Sequence, residues 1–320
     1  MARVLIKSEL KKIDNQIIKI IIMKKSSLLL MLILASLYFV SCTNSNEIIV
    51  EEDLCTKENY VVQFEKQIAE ILVEPTNWRY IGKTIDFDYN EFNLLERMSE
   101  GNIDSYHVYG FQYLCNNQVS EMFNKKYKFN ELNNLTTVTK ESSNKYLDLI
   151  YSGNTVNLKG NMYSSEEKDI TFFVNSDNLV TKIQRSDNYS ILQYDTNGNL
   201  INAKDYNLNG TLLKEFEFEF DQNPNPFYGQ LSSAYFERVY YYFQNSVTDG
   251  VNYMAYNSNF DMYFPYFKNN PLKIINKSMS APYNVTMQRD YTYDADNYPV
   301  KFEYTTVGYH DSTISITYKE

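Results

Sequence analysis

Glycine is scarce in this chain, with ten residues in 320, and none are spaced as a G-x-G-x-x-G or G-x-x-x-x-G-K loop. Such loops need the missing Cβ so that backbone amides can close around phosphate, which excludes nucleotide binding through a glycine-rich turn. Cysteine is scarcer still. Cys42, Cys55 and Cys115 are too scattered to close a zinc tetrahedron, and no other metal or cofactor is expected. Basic residues number 30 against 40 acidic, a net charge of −10 that repels a phosphate backbone, so nucleic acid is not an expected partner. Histidine occurs twice, as His107 and His310, each in an aromatic strand-like run. Asp311 does not make a catalytic pair with His310, because neighbours along a strand point to opposite faces.

Aromatic residues are abundant, with 30 Tyr and 19 Phe against the single Trp78. Their rings suit a half-buried pleated surface, and the composition leans towards β-structure. Phe216-Glu217-Phe218-Glu219-Phe220 alternates strictly, which turns the phenylalanines to a core and the glutamates to water.

The amino-terminal part reads as an address. Met23-Lys24-Lys25 precedes the apolar run Leu28 to Val40 and then Ser41-Cys42, the layout of a cleaved signal and too short a run to span a bilayer. Phe39-Val40-Ser41-Cys42 resembles the lipobox of bacterial lipoproteins, with Phe39 where leucine is usual. That resemblance implies a diacylglycerol anchor on Cys42 and an outer-membrane location, on the periplasmic or cell-surface side. Residues 1–22 read as an upstream extension, 23–41 as the signal peptide and 42–56 as an acidic tether. Cleavage before Cys42 leaves 279 residues, and removing seven basic and two acidic side chains takes the net charge to −15.

Residues 57–320 are expected to form one β-rich domain. Val61, Phe64, Ile68, Ile71 and Leu72 recur at spacings of three and four, which predicts one amphipathic helix over Lys57 to Val73, ended by Pro75. Beyond it a repeat dominates: an aromatic, Asp or Asn, two variable residues, a turn-forming position, one more residue, then Leu or Pro. Copies begin at Tyr89, Phe129, Tyr194, Tyr206, Phe220 and Tyr293, and a copy one residue shorter begins at Val174. In each, an Asx side chain can bind backbone amides while Gly or Asn takes a left-handed conformation, so Asp195, Gly198, Gly210 and Asp294 are expected turn residues. The fold expected is a large, curved antiparallel sheet, a meander of hairpins.

At these turns, above all Tyr194 to Leu200 and Tyr293 to Pro299, the chain resembles the tyrosine-aspartate repeats of Rhs-type β-shells and a family of Bacteroidota lipoproteins with a porin-like antiparallel sheet. The resemblance covers Phe172 to Thr317. It implies a fold and an address and carries no activity.

Candidate sites are few. Glu215, Glu217 and Glu219 share a strand face and read as solvated. The oxygen-rich stretches at Asp195 and Asp294 read as turns, since their spacing is not that of an EF-hand loop. Cys55 and Cys115 are a possible disulfide in an oxidising compartment. The aromatic stretch from Tyr235 to Phe267 offers Tyr241, Tyr256, Tyr263 and Tyr266 as a binding face for a glycan or a protein. The leading expectation is a non-catalytic, membrane-anchored binding or assembly module. A glycan-binding protein or glycan hydrolase and a periplasmic carrier of an apolar ligand are the alternatives.

Overall fold

The computed structural model describes residues 66–75, 82–102, 104–114, 117–140, 143–257, 260–281, 284–306 and 311–319. The signal peptide, Cys42, the tether, Cys55, Cys115 and His310 lie outside the described residues.

Among the described residues eighteen strands run from β1 (Ile68–Pro75) to β18 (Ser312–Tyr318), each antiparallel to its neighbours in sequence. The sheet does not stay open. β18 pairs with β1 from Ile68↔Tyr318 to Pro75↔Ser312, which makes an up-and-down barrel. An open curved sheet would leave two unpaired edges, and closure removes both. Turns after odd-numbered strands gather at one rim, here called upper, and turns after even-numbered strands at the other, lower.

The expected helix over Lys57 to Val73 is corrected from Ile68 onward, because Ile68–Pro75 is a strand; residues 57–65 lie outside the described residues. A bulge between Ile68 and Glu70 adds one residue, so Ile68 and Ile71 both face inward although three apart. A bulge thereby imitates helical spacing.

Five copies of the repeat build one kind of hairpin at the lower rim. In the turn after β12 (Asn188–Tyr194), Asp195 Oδ1 accepts the amides of Asn197 and Asn199, both at 2.9 Å, and Gly198 sits at φ 85°. Asn90, Asn130, Asn175 and Asp294 accept the corresponding pairs of amides, with Asn93, Asn133, Asn178 and Asn297 at φ near 60°. A type I turn closed by a left-handed residue needs this arrangement. Asn207 and Gly210 (φ 81°) form a sixth copy at the upper rim. The copy at Phe220 is not a hairpin. There β14 (Leu212–Pro224) runs on into a long connection to β15 (Asn269–Asn276), and Asp221 accepts from the Asn270 amide at 3.0 Å.

Along the strands the alternation has a definite sense. Phe87, Tyr127, Leu158, Phe172, Phe216, Phe302 and Ile314 are buried inside, and Asp86, Lys126, Lys128, Lys159, Asp169, Glu219, Asp290, Lys301 and Glu303 stand exposed outside. Among the described residues no helix is long and apolar enough to cross a membrane.

Eighteen strands enclose more space than their own side chains fill. The β14–β15 connection occupies it with α1 (Tyr235–Phe243), α2 (Val247–Tyr256) and α3 (Phe260–Tyr263). The expectation of sheet-face aromatics over Tyr235 to Phe267 is therefore corrected: they lie in the β14–β15 connection inside the barrel, on its helices as far as Tyr263 and in the turn that follows from Phe264. α1 buries Glu237, Arg238, Val239, Tyr240, Tyr242 and Phe243, so its charged pair lies inside rather than in water, and its tyrosine run favours strand by propensity. Gly250 of α2 lets α1 approach; a Cβ there would lie 2.2 Å from a Phe243 ring carbon.

The wall grips this plug through polar groups. Buried Arg185, in the upper-rim turn after β11 (Val180–Gln184), donates to the Phe243 carbonyl at the C-terminus of α1, with Nε at 3.2 Å. Burial lowers its pKa to about 10. Buried Asp205 of β13 (Leu200–Asn207) accepts the first amides of α2, Val247 and Thr248, at 3.1 Å, and the Ser190 hydroxyl at 2.6 Å. A cation at a helix C-terminus and an anion at an N-terminus both complement the helix dipole. Deeper in, Arg289 of β16 (Val285–Tyr293) forms a buried ion pair with Asp261 of α3.

Candidate binding pocket at the upper rim

At the upper rim the plug and the wall part to leave a pocket of about 330 Å³. Its wall side comes from Tyr109 of β4 (Tyr106–Tyr113), the turn residue Phe123, Lys125 of β6 (Lys125–Phe129), Lys140 and Tyr163. Its plug side is Arg238, Tyr241 and Tyr242 of α1, Tyr253 of α2 and Tyr263 of α3. Among the described residues three cations and six tyrosines line it, and no carboxylate does.

The local chain explains how these groups are held. β5 (Val119–Met122) turns into β6 through Phe123 and Asn124, at φ 54° and 59°. Asparagine adopts that conformation readily and a bulky aromatic residue does not, so Phe123 carries backbone strain. The strain aims its ring into the pocket, edge-on to Tyr109 at 5.3 Å and Phe111 at 5.6 Å, with the Arg238 guanidinium 5.6 Å from its centroid.

Arg238 is the centre of the site. Its Nε donates to the Tyr263 carbonyl at 2.9 Å and its Nη2 to the Tyr242 hydroxyl at 2.8 Å, while the guanidinium lies over the rings of Tyr241 and Tyr242 at 4.9 and 5.1 Å. Burial opposes its charge, but Tyr242 and Glu237 more than offset that, so its pKa lies above the ordinary arginine value. Nη1 makes no hydrogen bond to the described residues. Buried Lys125 donates to Glu237 at 2.7 Å and to the Tyr163 hydroxyl at 2.6 Å. Burial lowers the pKa of its ammonium, with Glu237 opposing. Glu237 is fully buried, faces Tyr127 and is taken up by Lys125. Exposed Lys140 forms no ion pair among the described residues. Burial raises the phenol pKa values of Tyr242, Tyr253 and Tyr263, so all three stay protonated at neutral pH.

Of the aromatic candidates read from sequence, Tyr241 and Tyr263 line this pocket. Tyr266 is directed inward instead and donates to the Leu231 carbonyl at 2.9 Å. Tyr256 belongs to α2, with its side chain outside the described residues. His107 is exposed on β4, its ring 6.4 Å from Tyr109. Glu215 and Glu217 form cross-strand ion pairs with Lys204 at 3.1 Å and Lys277 at 3.0 Å. Asp195 is occupied by turn amides, Asp294 by turn amides and Lys66, and no metal-binding cluster of His, Cys, Asp or Glu occurs among the described residues. Sequence reading missed Phe123, Lys125, Lys140, Tyr163 and Arg238. The one signal for Arg238 was a charged pair, Glu237-Arg238, standing inside an aromatic run.

No protein-family model and no curated protein sequence matches the chain. Among solved structures, a porin-like protein from Bacteroides uniformis ATCC 8492 is similar at a TM-score of 0.32 and 9% identity, over 81% of this chain and 100% of that one. A porin-like protein from Bacteroides vulgatus ATCC 8482 is similar at 0.34 and 12%, over 80% and 99%.

Proposed function

We propose that this chain is a non-catalytic binding module: a plugged barrel that stays in water, hangs from a lipid on Cys42 and presents the upper-rim pocket to a small ligand. The observation that carries this reading is the sense of the barrel, apolar within and charged without. A membrane-spanning barrel needs the opposite, and each lysine facing lipid at mid-depth costs about 2–4 kcal/mol. Lys126, Lys128, Lys159 and Lys301 face outward from different parts of the ring.

Binding fits the pocket better than hydrolysis does. Glycoside cleavage uses two carboxylates across a cleft, whereas the nearest acids here, Glu237 and Glu100, are committed to Lys125 and Lys83. Carriage of an apolar ligand is disfavoured, because among the described residues the apolar space bounded by Leu179, Tyr194, Val239, Phe264 and Phe267 is only about 10 Å³.

A protease site placed within Thr43 to Asp53 of the lipidated protein tests the tethered arrangement. Cleavage should release the barrel into detergent-free buffer. A barrel that stays with the membrane after cleavage is an inserted one, and the reading fails.

A further inference from the structure

The binding reading can be carried to a ligand class. We infer that the upper-rim pocket takes an acidic sugar, one pyranose-sized ring bearing a carboxylate, either free or at the end of a glycan; this inference rests on the pocket being a binding site.

Charge gives the first half of the argument. The chain as a whole is acidic, at −10, yet Arg238, Lys125 and Lys140 converge on one opening that no carboxylate among the described residues lines. Glu237 pairs directly with Lys125 and also supports the charge of Arg238 without bonding to it. Arg238 and Lys140 form no direct ion pair among the described residues, and Arg238 keeps Nη1 for a guest after Nε and Nη2 have fixed its plane. A guanidinium held flat with one edge unused suits a carboxylate oxygen. The surrounding acidic body disfavours a long polyanion, so a single negative group is the better match.

Shape gives the second half. A pocket of about 330 Å³ is near the small end for ligand sites, which holds the guest to one or two rings. Tyr163 and Tyr241 meet at 4.6 Å between centroids with their planes 58° apart, a corner of two flat faces against which a ring can lie. The Tyr109 and Tyr241 hydroxyls make no hydrogen bond among the described residues, and a hydroxyl-bearing ring would give them partners where a bare aromatic carboxylate would not. Phe123 holds a strained backbone to complete the aromatic lining, and strain of that kind is retained where position matters.

Calorimetry on the purified full chain with glucuronate, glucose and benzoate, together with an oligosaccharide ending in glucuronate, tests the inference. Glucuronate should bind at least about tenfold more tightly than glucose, which cannot make the charged hydrogen bond, or than benzoate, which leaves the tyrosine hydroxyls without partners. Lys140→Ala, an exposed change, and Phe123→Asn, which relaxes the turn, should each weaken glucuronate several-fold while leaving the thermal transition intact. Equal binding of glucose and glucuronate, or of benzoate and glucuronate, overturns the acidic-sugar assignment and leaves the binding module standing. Binding that neither variant changes overturns the assignment to this pocket. If none of the four compounds binds, the acidic-sugar assignment falls, while the tethered binding module is judged separately by protease release. A free sugar that binds as well as the oligosaccharide identifies the monosaccharide as the ligand; a much tighter oligosaccharide identifies the chain end.

Discussion

The barrel wall and the plug inside it are built by opposite rules. Each hairpin of the wall is specified within about ten residues, by alternation along the strands and by an Asx side chain that ties up its own turn. Nothing so local specifies the plug. α1 is held at its C-terminus by Arg185, α2 at its N-terminus by Asp205 and α3 by Arg289, all from the wall. The difference teaches where stability should be brittle: a buried charge that joins the two regions has no substitute, whereas the wall repeats its devices many times.

The largest effect is therefore expected at Arg289. Arg289→Met leaves the Asp261 carboxylate buried without its cation, which should cost about 3–5 kcal/mol in denaturant unfolding. Replacing Asp261 by leucine in the same chain should restore part of that loss. A single variant as stable as the parent would mean that apolar packing alone holds the plug.

Asp205→Ala comes next. It removes the acceptor of two backbone amides and of the Ser190 and Thr248 hydroxyls, all within 3.1 Å. Buried donors left unpaired cost about 1–3 kcal/mol, and hydrogen exchange should quicken in α2 before it does in the strands. Exchange that rises uniformly through the barrel would contradict the separation of the two regions.

The same contrast decided what could be read from the sequence. Asp195-Thr196-Asn197-Gly198 states its hairpin outright, because the turn needs no distant residue. Barrel closure, by contrast, joins Ile71 to Ile316, and no local pattern announces a partner so far along the chain. The Ile68 bulge shifted the apolar spacing from two to three and let the first residues of β1 read as helical. α1 failed for a different reason: its polar pair, Glu237-Arg238, is buried rather than turned to water, and its tyrosine run favours strand by propensity. For the pocket, two tyrosines were visible as candidates, but its cations come from β6, the end of β7 (Leu135–Lys140) and α1, and only the closed barrel brings them together.

A middle-sized effect tests the wall's own rule. Gly198 occupies φ 85°, so Gly198→Val should cost about 1–2 kcal/mol in thermal or denaturant unfolding. Gly198→Asn should cost far less, since Asn93, Asn133, Asn178 and Asn297 hold the equivalent place in their own turns. If asparagine proved as harmful as valine, the missing Cβ rather than the left-handed backbone would be what the turn requires. A Cβ at Gly198 would meet nothing nearer than a Leu179 methyl at 3.7 Å, an ordinary contact, which argues for the backbone.

The smallest effect lies on the outer face and sets the scale for the rest. Lys277 and Glu217 form an ion pair at 3.0 Å, with their side chains 45% and 41% exposed. Water screens such a pair, and ordering two long side chains offsets much of the attraction, so Lys277→Ala should change stability by less than about 1 kcal/mol and by less again in high salt. Glu217→Gln should match it, because neither partner leaves a buried charge behind. The comparison with Arg289 is then direct: the same kind of bond, moved from the outer face to the boundary between wall and plug, should gain several-fold in consequence. A loss at Lys277 as large as that at Arg289 would mean that the outer face is shielded from water, the arrangement expected of a barrel set in lipid, and the sense of the barrel would have to be argued again from that result.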